Sequence, residues 1–157
     1  MKLEVFPSTD RERMAEAIAL RIAVFVHEQR VPEEEEIDAH DGPEACSLHV
    51  LVRLASGDIV ATGRFYDAGD RVAQIGRMAV RAENRGSGLG RRVLERLIHE
   101  AREGGFERAV LFAQLHAVRF YAKSGFTAFG ETLLDGGIVH QPMERALSAR
   151  ERAASYA

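Results

Sequence analysis

The 157-residue chain has one cysteine, Cys46, which excludes an internal disulfide framework and suits a reducing compartment. A cytoplasmic protein is expected. No stretch is long and apolar enough to span a bilayer, and Met1-Lys2-Leu3-Glu4-Val5-Phe6-Pro7 lacks the apolar core of a secretory signal. Membrane association is not expected. Excess positive charge is missing too: the net charge is −3, so bulk electrostatics does not recommend nucleic acid, and any anion site must be local. Metal-ligand spacing is absent. His27-Glu28 and His99-Glu100 each begin an HExxH-like string, but the fifth residues are Val31 and Glu103, so no metal is expected. There is no internal repeat and no low-complexity linker. What remains is an ordinary globular composition, 46% hydrophobic and 29% charged, which fits a single domain over residues 1–147 and a small charged tail over 148–157.

The chain opens with Lys2 to Phe6 alternating as a short strand, and Thr9-Asp10-Arg11-Glu12 then has the form of a capping box. Met14, Ile18, Ile22 and Phe25 follow at helical spacing, and Pro32 stops any helix before it. The run Glu33 to Glu36, with Asp38, His40 and Asp41 behind it, reads as a solvated acidic loop or as the lined entrance for a cationic substrate. Leu48, Val50, Val52 and Leu54 alternate with polar positions, which places His49 on the more polar face of a strand. Ile59 to Tyr66 and a run reaching Val80 complete an antiparallel meander.

From Val93 to Ala101 the apolar residues trace one face of a helix that stops at Gly104-Gly105, and Ala109 to Ala113 is a strand-length run. Strand, helix and strand in succession make the flanking strands parallel neighbours with a right-handed crossover. A short helix from His116 to Lys123 and a strand from Phe126 to Gly130 follow. Asp135-Gly136-Gly137 then marks a turn into a partner strand, Val139 to Leu147, where Pro142 prefers an edge or bulge. The expected fold is α/β with a mixed sheet: an antiparallel N-terminal meander joined to a parallel βαβ unit, with helices on both faces.

The stretch that carries chemistry is Arg85-Gly86-Ser87-Gly88-Leu89-Gly90, between the strand ending at Val80 and the helix beginning near Leu89. Backbone N–H groups at a helix N-terminus favour anions, and glycines let a diphosphate approach them. A P-loop needs Gly-Lys-Ser/Thr, but Gly90 is followed by Arg91 and Arg92. A dinucleotide fingerprint needs GxGxxG and an acid at the end of the next strand, whereas the spacing here is GxGxG and that strand ends at Gln114.

Together these residues resemble the GNAT superfamily of N-acetyltransferases over nearly the whole chain. Arg85 to Gly90 resembles the family's coenzyme A motif, and Gln114 to Phe126, with Phe120-Tyr121-Ala122-Lys123-Ser124-Gly125-Phe126 at its end, resembles the F-Y-x-x-x-G-F segment. Arg21, Val24-Phe25-Val26, Glu28-Gln29, Val31-Pro32, Ile37-Asp38 and Asp135-Gly136-Gly137-Ile138-Val139-His140 are similar to the ElaA-like and YjcF-like branch.

The resemblance implies acetyl-CoA as cosubstrate, with its diphosphate on the amides of Arg85, Gly86, Ser87, Gly88, Leu89 and Gly90, helped by Arg91. It implies pantetheine pairing along Met78, Ala79 and Val80 in a splayed strand, contacts at Gln114 and Phe120, and Tyr121 as the acid that protonates the leaving thiolate. Gln114 stands where many members have asparagine. A protonated alkylamine needs a base before it attacks, since its deprotonation at pH 7 costs roughly 4 to 5 kcal/mol. Candidates are Glu28, His49 and His140; Glu28 ranks first because it lies in the Glu28-Gln29 motif, and Gln29, His49 and His140 are also placed at the substrate. The expected activity is transfer of an acetyl group to a primary amine, on a small molecule or a protein lysine or N-terminus. Direct transfer in a ternary complex is expected, because Cys46 lies outside both motifs. The alternative is an inactive acyl-CoA-binding regulatory module. The last hairpin offers a surface for a homodimer.

Overall fold

A computed structural model describes residues 1–43 and 45–147; the tail expected over 148–157 lies outside the described residues. The strands are β1 (Lys2–Pro7), β2 (Leu48–Arg53), β3 (Ile59–Asp67), β4 (Val72–Val80), β5 (Arg108–Gln114), β6 (Thr127–Ala128), β7 (Leu133–Asp135) and β8 (Ile138–Ala146). They form one eight-stranded sheet in the order β1-β2-β3-β4-β5-β8-β6, with β7 paired to β8. All described pairs are antiparallel except β4 with β5.

Helices cover both faces. On one side α3 (Leu89–Glu103) buries Val93, Leu94, Leu97, Ile98 and Ala101 against Val50, Val52, Ala61, Ile75 and Leu111. Full burial of such a leucine contributes on the order of 2 kcal/mol, so the stripe anchors the helix. On the other side α1 (Arg11–Arg21) and the turn after it pack Met14, Ala17, Leu20 and Val24 against Phe6, Leu51, Ile59 and Ala79. Because both faces of β2 are covered, His49 to Val52 are all buried, and the expected polar face of that strand does not exist.

Two local expectations at α1 are corrected. Its cap is Asp10, not Thr9: the Asp10 carboxylate accepts from the Arg13 N–H at 3.1 Å. The helix also continues into a π-helical stretch, Ile22–Glu28, and the buried face runs through Met14, Ala17, Leu20, Arg21 and Val24 and not through Ile22 and Phe25.

The acidic segment is not simply solvated. Glu33 to Glu35 are exposed on the one-turn helix α2 (Glu33–Glu36), but Glu36 and Asp41 are buried against Arg21 and Arg64. Arg21, 1% exposed, donates to Glu36 at 2.8 Å and to both oxygens of Asp41 at 2.7 and 2.8 Å. Arg64 donates to Asp41 at 2.8 Å and to Asp38 at 2.8 and 2.6 Å, while Arg77 lies 3.3 Å from Asp38 and 3.4 Å from Glu36. Burial acts to raise all three carboxylates; the arginines overcome it at Asp38 and Asp41, holding both below the usual range, and burial prevails at Glu36. Three arginines thus neutralise the three carboxylates and pin α2 to the sheet.

The C-terminal hairpin follows its glycine signal. Gly136 and Gly137, at φ +59° and +80°, form the two-residue link between Asp135 and Ile138, as a mirror-image turn requires. Pro142 sits inside β8, opposite Phe112. Its carbonyl accepts from the Phe129 N–H, so its own nitrogen points to that same side, into the gap between β7 and β6 where no ladder donor is needed. The strand expected over Phe126 to Gly130 shrinks to the two residues of β6.

Candidate active site

The parallel pairing of β4 and β5 runs only from Val72 opposite Arg108 to Ile75 opposite Leu111. Beyond it the strands part. A bulge in β4 bends it away: the β3–β4 register slips between Thr62 and Arg64, leaving Arg77 and Met78 both facing Gly63. Arg77 takes a left-handed φ of +52°, at a cost of about 1 kcal/mol or more, and its guanidinium is tied to the carbonyls of Glu36 and Glu35 at 3.2 and 3.3 Å. Gly63 is required there. A Cβ would lie 2.6 Å from the Met78 sulfur and 2.9 Å from Val93 Cγ1. The separation opens a cleft of about 1040 Å³ whose walls include the free edge of β4 at Met78, Ala79 and Val80.

One end of the cleft is the glycine turn. Gly86 and Gly88 have φ of +82° and +83°, and a Cβ on either would meet nothing within 4 Å, so glycine serves the left-handed backbone and leaves the amides open. Leu89, Gly90 and Arg91 begin α3, and Gly90 leaves room for Phe120, 3.4 Å from where its Cβ would stand. The Ser87 hydroxyl faces back, donating to the Asn84 carbonyl at 2.5 Å. Arg85 bridges the cleft wall: its Nε donates to the Val80 carbonyl at 3.0 Å and its terminal nitrogen to Glu28 at 2.7 Å. Arg91 is exposed and paired with Glu95 at 2.9 Å.

Tyr121 reaches the cleft from α4 (Val118–Ala122); of the helix expected from His116 to Lys123, the first residues instead form a 3-10 turn, Leu115–Ala117. Its ring meets Phe120 and Phe126 edge-on at 5.0 and 6.2 Å, and burial pushes the phenol up to about 12. It therefore holds its proton at neutral pH. Gln114 ends β5 and is paired with Gln29, while His140, directly opposite Gln114 on β8, is 9% exposed and lines the same cleft.

Two expected bases lie outside the cleft lining. Glu28 is bound to Arg85 and is not among the cleft-lining residues. His49 is 1% exposed and stacked on Phe6 at 5.4 Å, with its ring pushed down to about 4 by burial. It lies inside the core and not at the substrate cleft. Residues absent from the expectation also line the cleft: Phe25, Phe112, and Tyr66, whose ring stacks on His40 at 3.5 Å. Gly63, a glycine within an apolar strand, was the available signal for the bulge; nothing in the local pattern marked Tyr66.

Among the described residues no group of His, Cys, Asp and Glu is arranged to hold a metal ion, and no helix is long and apolar enough to cross a membrane. A GNAT acetyltransferase domain model matches residues 10–147. The uncharacterized N-acetyltransferase YjcF of Bacillus subtilis is 35% identical over 135 residues, 85% of this chain and 93% of that protein. An acyl-CoA N-acyltransferase structure from Pseudomonas aeruginosa superposes with a TM-score of 0.82 at 29% identity, covering 92% of this chain and 99% of the other. Escherichia coli ElaA gives a TM-score of 0.81 at 26% identity over 92% and 98% of the two chains. The parted strands, the glycine turn and these likenesses lead to one conclusion: the chain belongs to the GNAT acetyltransferase family, in the branch that holds YjcF and ElaA.

Proposed function

We propose that the protein transfers an acetyl group from acetyl-CoA to a primary amine while both are bound. The observation that carries this is the free edge of β4, which runs from the Arg77 bulge to Val80 and leads to the open glycine turn of Gly86 and Gly88. Extended amides pair with such an edge, and a diphosphate suits the amides at the start of α3. The residues present fit coenzyme A in both respects. When bound, it supplies an activated acyl carbon and a thiolate leaving group.

The chain supplies the rest. The backbone N–H of Val80, which points away from β3 toward the cleft, orients the thioester carbonyl and stabilises charge that develops on its oxygen, a contribution of a few kcal/mol. The Tyr121 hydroxyl has no hydrogen-bond partner among the described residues and keeps its proton, so it is available to the departing sulfur. Transfer from a phenol at about 12 to a thiolate whose acid is near 8.5 is uphill in water, so Tyr121 acts where burial raises the thiol as well. Cys46 is exposed and does not line the cleft, which supports direct transfer over an acyl-enzyme.

With Glu36, Asp38 and Asp41 neutralised by arginines, the acceptor end is walled by Phe25, Tyr66 and Phe112 and by the amides of Gln29, Gln74 and Gln114. That lining favours a small amine on an uncharged body. Thiol release from acetyl-CoA is the test, with benzylamine, hexylamine, spermidine and a lysine peptide as acceptors. Turnover with at least one amine, reduced about 100-fold in Tyr121→Phe with coenzyme A affinity retained, is the expected result. Tight coenzyme A binding without turnover on any acceptor would instead identify a binding module.

A further inference from the structure

We infer that His140 is the general base that removes the proton from the acceptor ammonium. This rests on the acetyltransferase function proposed above. His140 Nδ1 lies 2.7 Å from the Ile138 carbonyl oxygen. A carbonyl only accepts, so Nδ1 carries the hydrogen, and the neutral ring bears its lone pair on Nε2. Among the described residues Nε2 makes no hydrogen bond, and the ring stands in the cleft wall. The backbone thus fixes the tautomer a base requires.

Position agrees with that chemistry. His140 is the direct cross-strand neighbour of Gln114, so both side chains project from the same face of the sheet at the end of β5, where the strands have parted. The elements packed on this part of β8 bring few competing charges: β7 carries the exposed Asp135, the short turn Leu115–Ala117 carries the exposed His116, and β5 presents the neutral Gln114. The remaining carboxylate on the wall without an arginine is Glu35, exposed on α2.

The step balances without any further reagent. His140 Nε2 takes one proton from the ammonium and passes it to solvent. The free amine forms an N–C bond with the acyl carbon as the C–S bond breaks, and the sulfur leaves with the Tyr121 proton. The nitrogen sheds one more proton on becoming an amide, which restores the phenol. One amine, one thioester and one amide-plus-thiol pair are accounted for, with one proton released.

The test is the pH dependence of kcat/KM for the amine in wild type, His140→Asn and His140→Gln, using acetyl-CoA and the best amine of the panel above. The wild type should show an acid limb that levels off to a plateau below the pH at which the amine itself deprotonates. Both variants should fall 100-fold or more at neutral pH and lose the plateau, kcat/KM rising about tenfold per pH unit with the free-amine fraction, while coenzyme A affinity and melting temperature stay near wild type. Glu28→Gln should keep the limb. Imidazole added to the variants should restore part of the rate. A profile parallel to that of the wild type in either folded variant, or a loss below threefold, overturns the assignment of His140 alone. Absence of any acyl transfer by the wild type overturns the proposed function, and the base with it.

Discussion

The side-chain amides of Gln29 and Gln114 pair head to tail: Gln114 Nε2 donates to Gln29 Oε1 at 2.8 Å, and Gln29 Nε2 returns to Gln114 Oε1 at 3.4 Å. The pair joins the segment after the π-helical turn to the end of β5 across the cleft. Replacing either residue by leucine leaves the other amide unpaired in a half-buried setting. A double-mutant cycle read by urea unfolding should return a coupling of about 1 kcal/mol, with the double variant less damaged than the sum of the singles. Strict additivity would mean that the two amides do not stabilise one another.

At Gly88 the backbone is left-handed, φ +83°, and the space beside it is open. Gly88→Ala and Gly88→Glu therefore carry the same strain, about 1 kcal/mol, and differ in charge at the start of α3. Titration calorimetry with coenzyme A should find the glutamate variant roughly 30-fold weaker than the alanine variant, about 2 kcal/mol. Equal affinities would remove the glycine turn from the binding surface.

Asp41 is shared by two buried arginines, Arg21 and Arg64, at 2.7 and 2.8 Å. Asp41→Asn keeps the shape and removes the charge, stranding cations inside the protein. The expected loss is about 3 to 5 kcal/mol, measured by urea unfolding at pH 7. Asp38 and Asp41 are both lowered in the folded state, so their stabilisation is present above the ordinary aspartate range and is lost as pH falls from that range down through their lowered folded values.

A second pH effect comes from His49. Its folded value is depressed to about 4 by burial, so the unfolded chain takes up this proton first as pH drops below about 6.5. Stability is full above that point and declines toward pH 4. Between pH 7 and 5 the wild type should lose about 2 kcal/mol more than His49→Phe, which keeps the ring on Phe6 without the titration. Parallel stability curves for the two proteins would contradict this.

Local signals in the sequence were strongest where backbone geometry demands a residue type. The glycines of Gly86 and Gly88, the stripe from Val93 to Ala101 and the turn at Gly136-Gly137 each appear where expected. Expectations failed where tertiary contacts override local pattern. Alternation placed His49 outward, but helices on both faces of β2 leave no outward side. Glu36 and Asp41 belong to an acidic run, and only their partners, distant in sequence at Arg21 and Arg64, distinguish them from solvated neighbours. The left-handed Arg77 carries no signal of its own, because arginine is not a residue that favours that conformation.

The contact at Gly63 limits how this cleft can change shape. With Met78, Val93 and Leu97 all within 3.0 Å of where a Cβ would stand, the β4 bulge and the helix that follows the glycine turn meet the same strand without clearance. A side chain at position 63 would press on both at once, so this glycine couples the packing of the bulge to that of the helix. On its other side the glycine turn is held by the π-helical Ile22–Glu28, which reaches Arg85 through Glu28 at 2.7 Å.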